Sequence, residues 1–284
     1  MPGSNNIFAA CLIRSAAASW VFANTDHMGD HVKVFDLERT ETVREYTYFG
    51  SAKKVSTAPF HPNKIWFNVK RSNCLIGKAD IREPGFEVSK YIISREKVVS
   101  CLRDFDLSPT DNNLLAVADY NMVGLFDRRT VAKERSPVLL LDSLIDKSIA
   151  HEWYVSNVKF RPNGKELIVN CSQKYSFEQR VFIVNILDGS TKSLKVPVGI
   201  SHSHMRLKNP CFLGPSGRYL MLDLCLNNYS VVFDCVEGKY IGILKAEVNL
   251  LSIHSLNTFS KPHPRFCLVA VADRFIVNLV TPTI

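Results

Sequence analysis

Short apolar runs separated by polar turns recur along the 284-residue chain. Six segments share one pattern: an apolar strand, a polar turn, and a second apolar strand closing on Asp or Asn. The first is Trp20-Val-Phe-Ala followed by Val32-Lys-Val-Phe-Asp36. The second is Ile65-Trp-Phe-Asn-Val followed by Cys74-Leu-Ile-Gly-Lys-Ala-Asp80, and the third is Leu114-Leu-Ala-Val-Ala followed by Met122-Val-Gly-Leu-Phe-Asp127. The fourth pairs Leu167-Ile-Val-Asn with Val181-Phe-Ile-Val-Asn185. The fifth pairs Tyr219-Leu-Met-Leu with Tyr229-Ser-Val-Val-Phe-Asp234, and the sixth pairs Cys267-Leu-Val-Ala-Val-Ala with Phe275-Ile-Val-Asn278.

The closing acid or amide stands at 36, 80, 127, 185, 234 and 278, in steps of 44, 47, 58, 49 and 44. Four-stranded propeller blades repeat at roughly 40–45 residues, so this period with modest insertions predicts a WD-repeat β-propeller with six recognisable blades. The runs are apolar throughout rather than alternating, as in strands covered on both faces. Proline recurs before the second strand of a blade, in Phe60-His61-Pro62, Leu107-Ser108-Pro109, Phe160-Arg161-Pro162 and Leu213-Gly214-Pro215. Because proline donates no ladder hydrogen bond, these positions read as turns. Helical periodicity is weak, and only Leu139–Ile149 leaves room for a turn or two of helix. The usual Trp-Asp strand end is degenerate, with Phe35, Ala79, Phe126, Val184, Phe233 and Val277 in place of Trp. No Gly-His dipeptide is present either, so stability is expected to rest on apolar packing.

Composition narrows the class. Hydrophobic residues make up 46% and charged residues 22%, which supplies a core and excludes wholesale disorder. All 284 residues are expected to form one domain. A formal net charge of +8 favours acidic partners such as phosphopeptides, acidic tails or nucleic acid, though it does not single out direct nucleic-acid contact. The eight cysteines form no Cys-x-x-Cys pair and sit mostly in apolar runs. They read as buried free thiols of a reducing compartment. No apolar run approaches the roughly 20 residues of a membrane helix. The apolar stretch Ile7–Phe22 lacks a preceding basic region and is interrupted by Arg14, so it is not read as a secretory signal.

From about Leu12 onward the chain resembles the family of the small seven-bladed WD-repeat subunit of the COMPASS histone H3 lysine-4 methyltransferase complex. The resembling stretches are Val43-Arg-Glu-Tyr-Thr-Tyr-Phe-Gly50, Leu125-Phe-Asp-Arg-Arg129, Glu152-Trp153 leading to Val158-Lys-Phe-Arg-Pro-Asn-Gly-Lys165, and the run through Pro282-Thr283. The resemblance begins at the family's second blade, which implies that the family's first blade is missing. It also implies a non-enzymatic scaffold in the nucleus, with histone methyltransferase or phosphatase-1 complex subunits as partners. A phosphorylated RNA polymerase II tail is a further ligand it implies.

Two consecutive repeats end in Asp-x-Arg, as Asp80-Ile-Arg82 and Asp127-Arg-Arg129. Paired signatures of this kind present arginine to the adaptor of cullin–RING ubiquitin ligases in their substrate receptors, which gives an alternative function. The plainer reading is a local turn, with Asp capping and Arg pairing at under about 1 kcal/mol. Basic residues gather at Lys53, Lys54, Lys64, Lys70, Arg71, Lys78 and Arg82, among Trp66 and Phe67. They make a candidate phosphate-binding patch, or a solvated face with its aromatics in the core. His202-x-His204 lacks the further ligands a metal site needs, and His61 and His263 precede prolines as turn residues. No nucleophile elbow, phosphate-cradling glycine loop or His-Glu-x-x-His helix is present, so neither catalysis nor a cofactor is expected.

Overall fold

The computed structural model describes residues 9–14, 20–25, 31–36, 39–47, 54–58, 60–70, 75–91, 102–120, 122–129, 134–141, 144, 152–175, 178–197, 207–214, 216–224, 229–245, 258–262, 269–273 and 276–280. They fall into two compact units, 1–140 and 141–284.

In the first unit, strands β1 (Ala9–Arg14), β2 (Trp20–Thr25), β3 (His31–Asp36) and β4 (Glu41–Thr47) form an antiparallel meander, blade 1. Blade 2 follows with β5 (Val55–Ala58), β6 (His61–Lys70), β7 (Leu75–Asp80) and β8 (Glu87–Tyr91). Blade 3 comprises β9 (Asp104–Leu107), β10 (Leu114–Asp119), β11 (Met122–Asp127) and β13 (Leu139–Leu141). Between its last two strands, β12 (Glu134–Arg135) leaves blade 3 and adds in parallel to β8, giving blade 2 a fifth strand.

The second unit begins with blade 4, made of β14 (Trp153–Phe160), β15 (Glu166–Gln173), β16 (Gln179–Asn185) and β17 (Thr191–Leu194). Blade 5 is β18 (Leu207–Leu213), β19 (Tyr219–Leu224), β20 (Tyr229–Asp234) and β21 (Lys239–Lys245). Three further strands, β22 (Thr258–Pro262), β23 (Val269–Asp273) and β24 (Ile276–Val280), form the described part of blade 6.

Apolar residues on both strand faces explain the unbroken runs. One face of blade 2 contributes Val55, Ile65, Phe67 and Ala79 to a cluster with Val32, Val34 and Tyr46 of blade 1. Its other face contributes Trp66, Ile76 and Tyr91 to a cluster with Phe105, Leu115, Val117 and Phe126 of blade 3. In the second unit, Ile168, Val181, Ile183 and Leu194 of blade 4 pack against Phe212, Leu220, Val231 and Phe233 of blade 5. Each fully buried aliphatic or phenyl side chain contributes roughly 1.5–3 kcal/mol of transfer free energy.

Two expectations change. His61 and Pro62 open strand β6 rather than lying in the turn before it. His61 is paired with Ala58, and the β5 ladder resumes at Thr57 and Ile65, so Pro62 falls in an irregularity where no donor is required. Pro162 lies in a turn and Pro109 in a bend, and Pro215 lies outside the described residues. Of the segment Leu139–Ile149, Leu139–Leu141 is strand β13, because it completes blade 3 against β11, and apart from Leu144 the rest lies outside the described residues. His202, His204 and His263 lie outside the described residues.

Candidate partner-binding surface

The recurring acid or amide has a local physical cause. An Asx side chain at a strand end accepts a hydrogen bond from the amide two residues on, and this turns the chain. Asp80 Oδ1 accepts from the amide of Arg82 at 3.1 Å, and Asp127 Oδ1 from that of Arg129 at 2.9 Å. Asn185 and Asp234 do the same with Leu187 and Val236, both at 2.9 Å. Asp36 reaches one residue further, to Arg39 at 3.1 Å. The first five closing residues are the last residues of β3, β7, β11, β16 and β20, whereas Asn278 lies inside β24.

Each Asp-x-Arg turn is also closed by its arginine. Arg82 donates Nε to Asp80 Oδ1 at 2.9 Å and Nη2 to Oδ2 at 2.7 Å. Arg129 grips Asp127 in the same fork, with Nε 2.9 Å from Oδ2. The Arg82 hydrogen bonds, outweighing partial burial, bring the Asp80 carboxyl down to about 2. Both guanidinium groups stay open to solvent, with side chains 64% and 72% exposed. They therefore project from equivalent turns of two consecutive blades.

The Asp80–Glu83 turn is held from outside as well. Tyr46 on β4 donates its hydroxyl to the Asp80 carbonyl at 2.9 Å. Arg44, also on β4, donates to the carbonyls of Ile81 and Arg82 at 3.4 and 3.1 Å. Burial pushes the Tyr46 hydroxyl up to about 12. These contacts run from one blade to the next, and no sequence motif announces them. A similar link joins blades 4 and 5, where Lys192 on β17 donates to the Val236 carbonyl at 2.8 Å. Arg44 pairs with Val34 and Lys192 with Ile183, each two residues before the closing Asx, so the two cations occupy equivalent positions.

The basic residues of blade 2 do not converge. Lys64 lies opposite Asp80 at one end of β6, while Lys70 lies opposite Leu75 at the other. At about 3.3 Å per residue, these ends are roughly 20 Å apart. Lys54 is beside Asn68, near the Lys70 end, and its ammonium pairs with the buried Asp104 at 2.7 Å. Lys78 pairs with Glu87 at 3.0 Å. Trp66 and Phe67 are core residues, 3% and 0% exposed. Lys53 and Arg71 lie outside the described residues, and Lys70 is described by its strand pairing alone. Among the described residues no three His, Cys, Asp or Glu side chains cluster as metal ligands would. No helix among them is long and apolar enough to cross a membrane.

Successive four-stranded antiparallel meanders, packed on both faces and closed by Asx turns, define a WD-repeat β-propeller. The chain is similar to the crystal structure of the Cps50 (Swd1) β-propeller domain of Myceliophteria thermophila. The TM-score is 0.69 at 15% identity, over 98% of this chain and 83% of that one. No family model matches the chain, and no curated protein matches it by sequence.

Proposed function

We propose that this propeller is a non-enzymatic scaffold subunit of a nuclear chromatin or transcription complex of the COMPASS histone H3 lysine-4 methyltransferase type. The observation that carries this reading is the fold likeness to the Swd1 propeller over nearly the whole chain. The sequence stretches around Glu45, Arg129 and Lys165 that resemble a COMPASS WD-repeat subunit support it. Any influence on methylation then comes from holding partners in place. Those partners are methyltransferase or phosphatase-1 complex subunits, with the phosphorylated polymerase tail as a further ligand. The exposed turns at Asp80–Arg82 and Asp127–Arg129 are the first surface to test, followed by Lys53, Lys54, Lys70 and Arg71.

The same two exposed arginines give a second reading, a substrate receptor of a cullin–RING ligase. Affinity purification of the tagged chain from its own cells, with mass spectrometry of what co-purifies, separates the two. Methyltransferase or phosphatase-1 subunits support the first reading. Cullin and its adaptor, lost on joint Arg82→Glu and Arg129→Glu substitution, support the second. Recovery of chaperones alone overturns both.

A further inference from the structure

The outer strand of blade 5 has seven residues and an apolar centre, whereas β4 is largely polar and the apolar β13 has only three residues. Strand β17 of blade 4 reads Thr-Lys-Ser-Leu, and β8 of blade 2 reads Glu-Val-Ser-Lys-Tyr and is already covered by β12. Strand β21 reads Lys-Tyr-Ile-Gly-Ile-Leu-Lys and, among the described residues, hydrogen-bonds as a strand to β20 only. Tyr240, Ile241 and Ile243 are 37%, 48% and 48% exposed. A Cβ added at Gly242 would meet nothing within 4 Å. An apolar strand with a free edge is a template for pairing with another chain.

We propose that β21 takes up an extended segment of a partner protein by strand addition, the segment being apolar at its centre and carrying carboxylates at both ends. Main-chain hydrogen bonds supply affinity in this mode, and the flanking side chains supply selectivity. The protein already uses the device once, where Glu134–Arg135 joins β8.

Charge decides the occupant. Lysine stands at both ends of β21, at 239 and 245, and Lys239 holds Glu237 at 3.0 Å in an exposed pair that a partner carboxylate has to displace. Antiparallel pairing of two copies centred on Gly242 would set Lys239 against Lys245 at each end, and like charges directly opposite are unfavourable. A strand with acidic ends places carboxylates at the same points. The proposal rests on the scaffold reading but names a different surface from the Asp-x-Arg turns.

The test uses the full chain and two fluorescein-labelled synthetic peptides, Asp-Glu-Val-Thr-Ile-Thr-Val-Glu-Asp and its counterpart with Lys and Arg at the ends. Fluorescence anisotropy should show the acidic-ended peptide binding roughly tenfold or more tightly than the basic-ended one. Hydrogen exchange should show new protection confined to the amides of residues 240–244. Ile243→Lys should weaken binding about tenfold, as should Lys239→Glu, with little change in circular dichroism melting because Ile243 is 48% exposed and the Lys239 side chain 72%. Equal affinity for the two peptides, no binding of either, or protection elsewhere overturns the proposal. So does a concentration-dependent dimer that Ile243→Lys abolishes, since it assigns the edge to a second copy. If co-purification of partners survives Ile243→Lys while peptide binding fails in the wild type, strand addition falls and the scaffold reading stands.

Discussion

Strands β4 and β21 hold the same place in their blades, yet they treat it in opposite ways. Both carry a bulge at the same register, between Val34 and Phe35 in one ladder and between Val232 and Phe233 in the other. On β4 the residues around the bulge are Val43, which packs into the core shared with blade 2, and Arg44, which reaches two carbonyls of that blade. On β21 the equivalents are Ile241, about half exposed, and Gly242, which has open space where a side chain would stand. An outer strand can thus bind its blade to the next, or keep its apolar surface for something else. In β4 the first use is visible in the hydrogen bonds; in β21 the second rests on the exposure of Ile241 and Ile243.

The largest effect should come from the buried end of β4. Tyr46 is 3% exposed and stacks on Phe67, with ring centroids 6.2 Å apart. Tyr46→Ala removes that packing and the hydroxyl's hold on Asp80, and should cost about 3–5 kcal/mol in urea unfolding. Tyr46→Phe removes the hydroxyl alone and should cost about 1 kcal/mol. The matching change on β21, Tyr240→Ala, should cost about 1 kcal/mol or less, because Tyr240 is partly exposed and keeps one edge-on contact with Phe233. Equal losses at Tyr46 and Tyr240 would dissolve the contrast between the strands.

A second strong effect is expected where blade 4 meets blade 5. Arg161 donates Nε to the Gly217 carbonyl at 2.9 Å. Gly217 has φ of 61°, and a Cβ there would lie 2.4 Å from Pro162 Cδ. Gly217→Ala combines left-handed backbone strain with overlap against a rigid ring, and should cost about 1–3 kcal/mol by thermal unfolding. Glycine at 214 also has positive φ, 72°, but nothing lies within 4 Å of its added Cβ. Gly214→Ala should therefore cost only the conformational part, about 1 kcal/mol.

A smaller, pH-dependent effect belongs to the Asp80 turn. Its carboxyl titrates near 2 in the folded chain against an ordinary 3.8. A depressed folded value adds stability that is present above about pH 4 and lost as pH falls toward 2. The arginine that causes it is well exposed, so screening keeps the contribution under about 1 kcal/mol. Asp80→Asn should flatten the stability profile over that window by this amount, and 1 M salt should shrink the difference between the two proteins.

The period of the fold was legible because it is chemical. An Asx turn needs Asp or Asn at the strand end, and apolar strands need partners on both faces, so both leave marks at fixed spacing. The same holds for the Asp-x-Arg forks, whose partners are two residues apart. What could not be read were contacts made across blades, such as Arg44 to Ile81 or Lys54 to Asp104, because they join residues distant in sequence with no fixed interval. The parallel strand Glu134–Arg135 was hidden for a different reason: a strand of two polar residues has no periodicity. The basic cluster around Lys54 and Lys64 looked unified only because linear proximity hides that residues near opposite ends of one extended strand point to opposite rims.

One exchange sharpens the comparison most directly, because it swaps the two residues that define it. Arg44→Gly removes two part-exposed hydrogen bonds and places a flexible residue in a strand, so it should cost about 1–2 kcal/mol. Gly242→Arg meets open space and an ordinary backbone conformation, since Gly242 is not among the glycines of positive φ. It should raise stability by about 0.5–1 kcal/mol through strand propensity alone. The same substitution puts a long cation across the outer edge of β21, which should leave an acidic-ended strand's attraction intact while crowding its seat. A gain in melting temperature together with weaker peptide binding would mean that glycine is kept at 242 for access and not for folding. A loss of stability on Gly242→Arg would mean instead that the space beside β21 is filled in solution, and that the two outer strands are closer in kind than their exposed surfaces indicate.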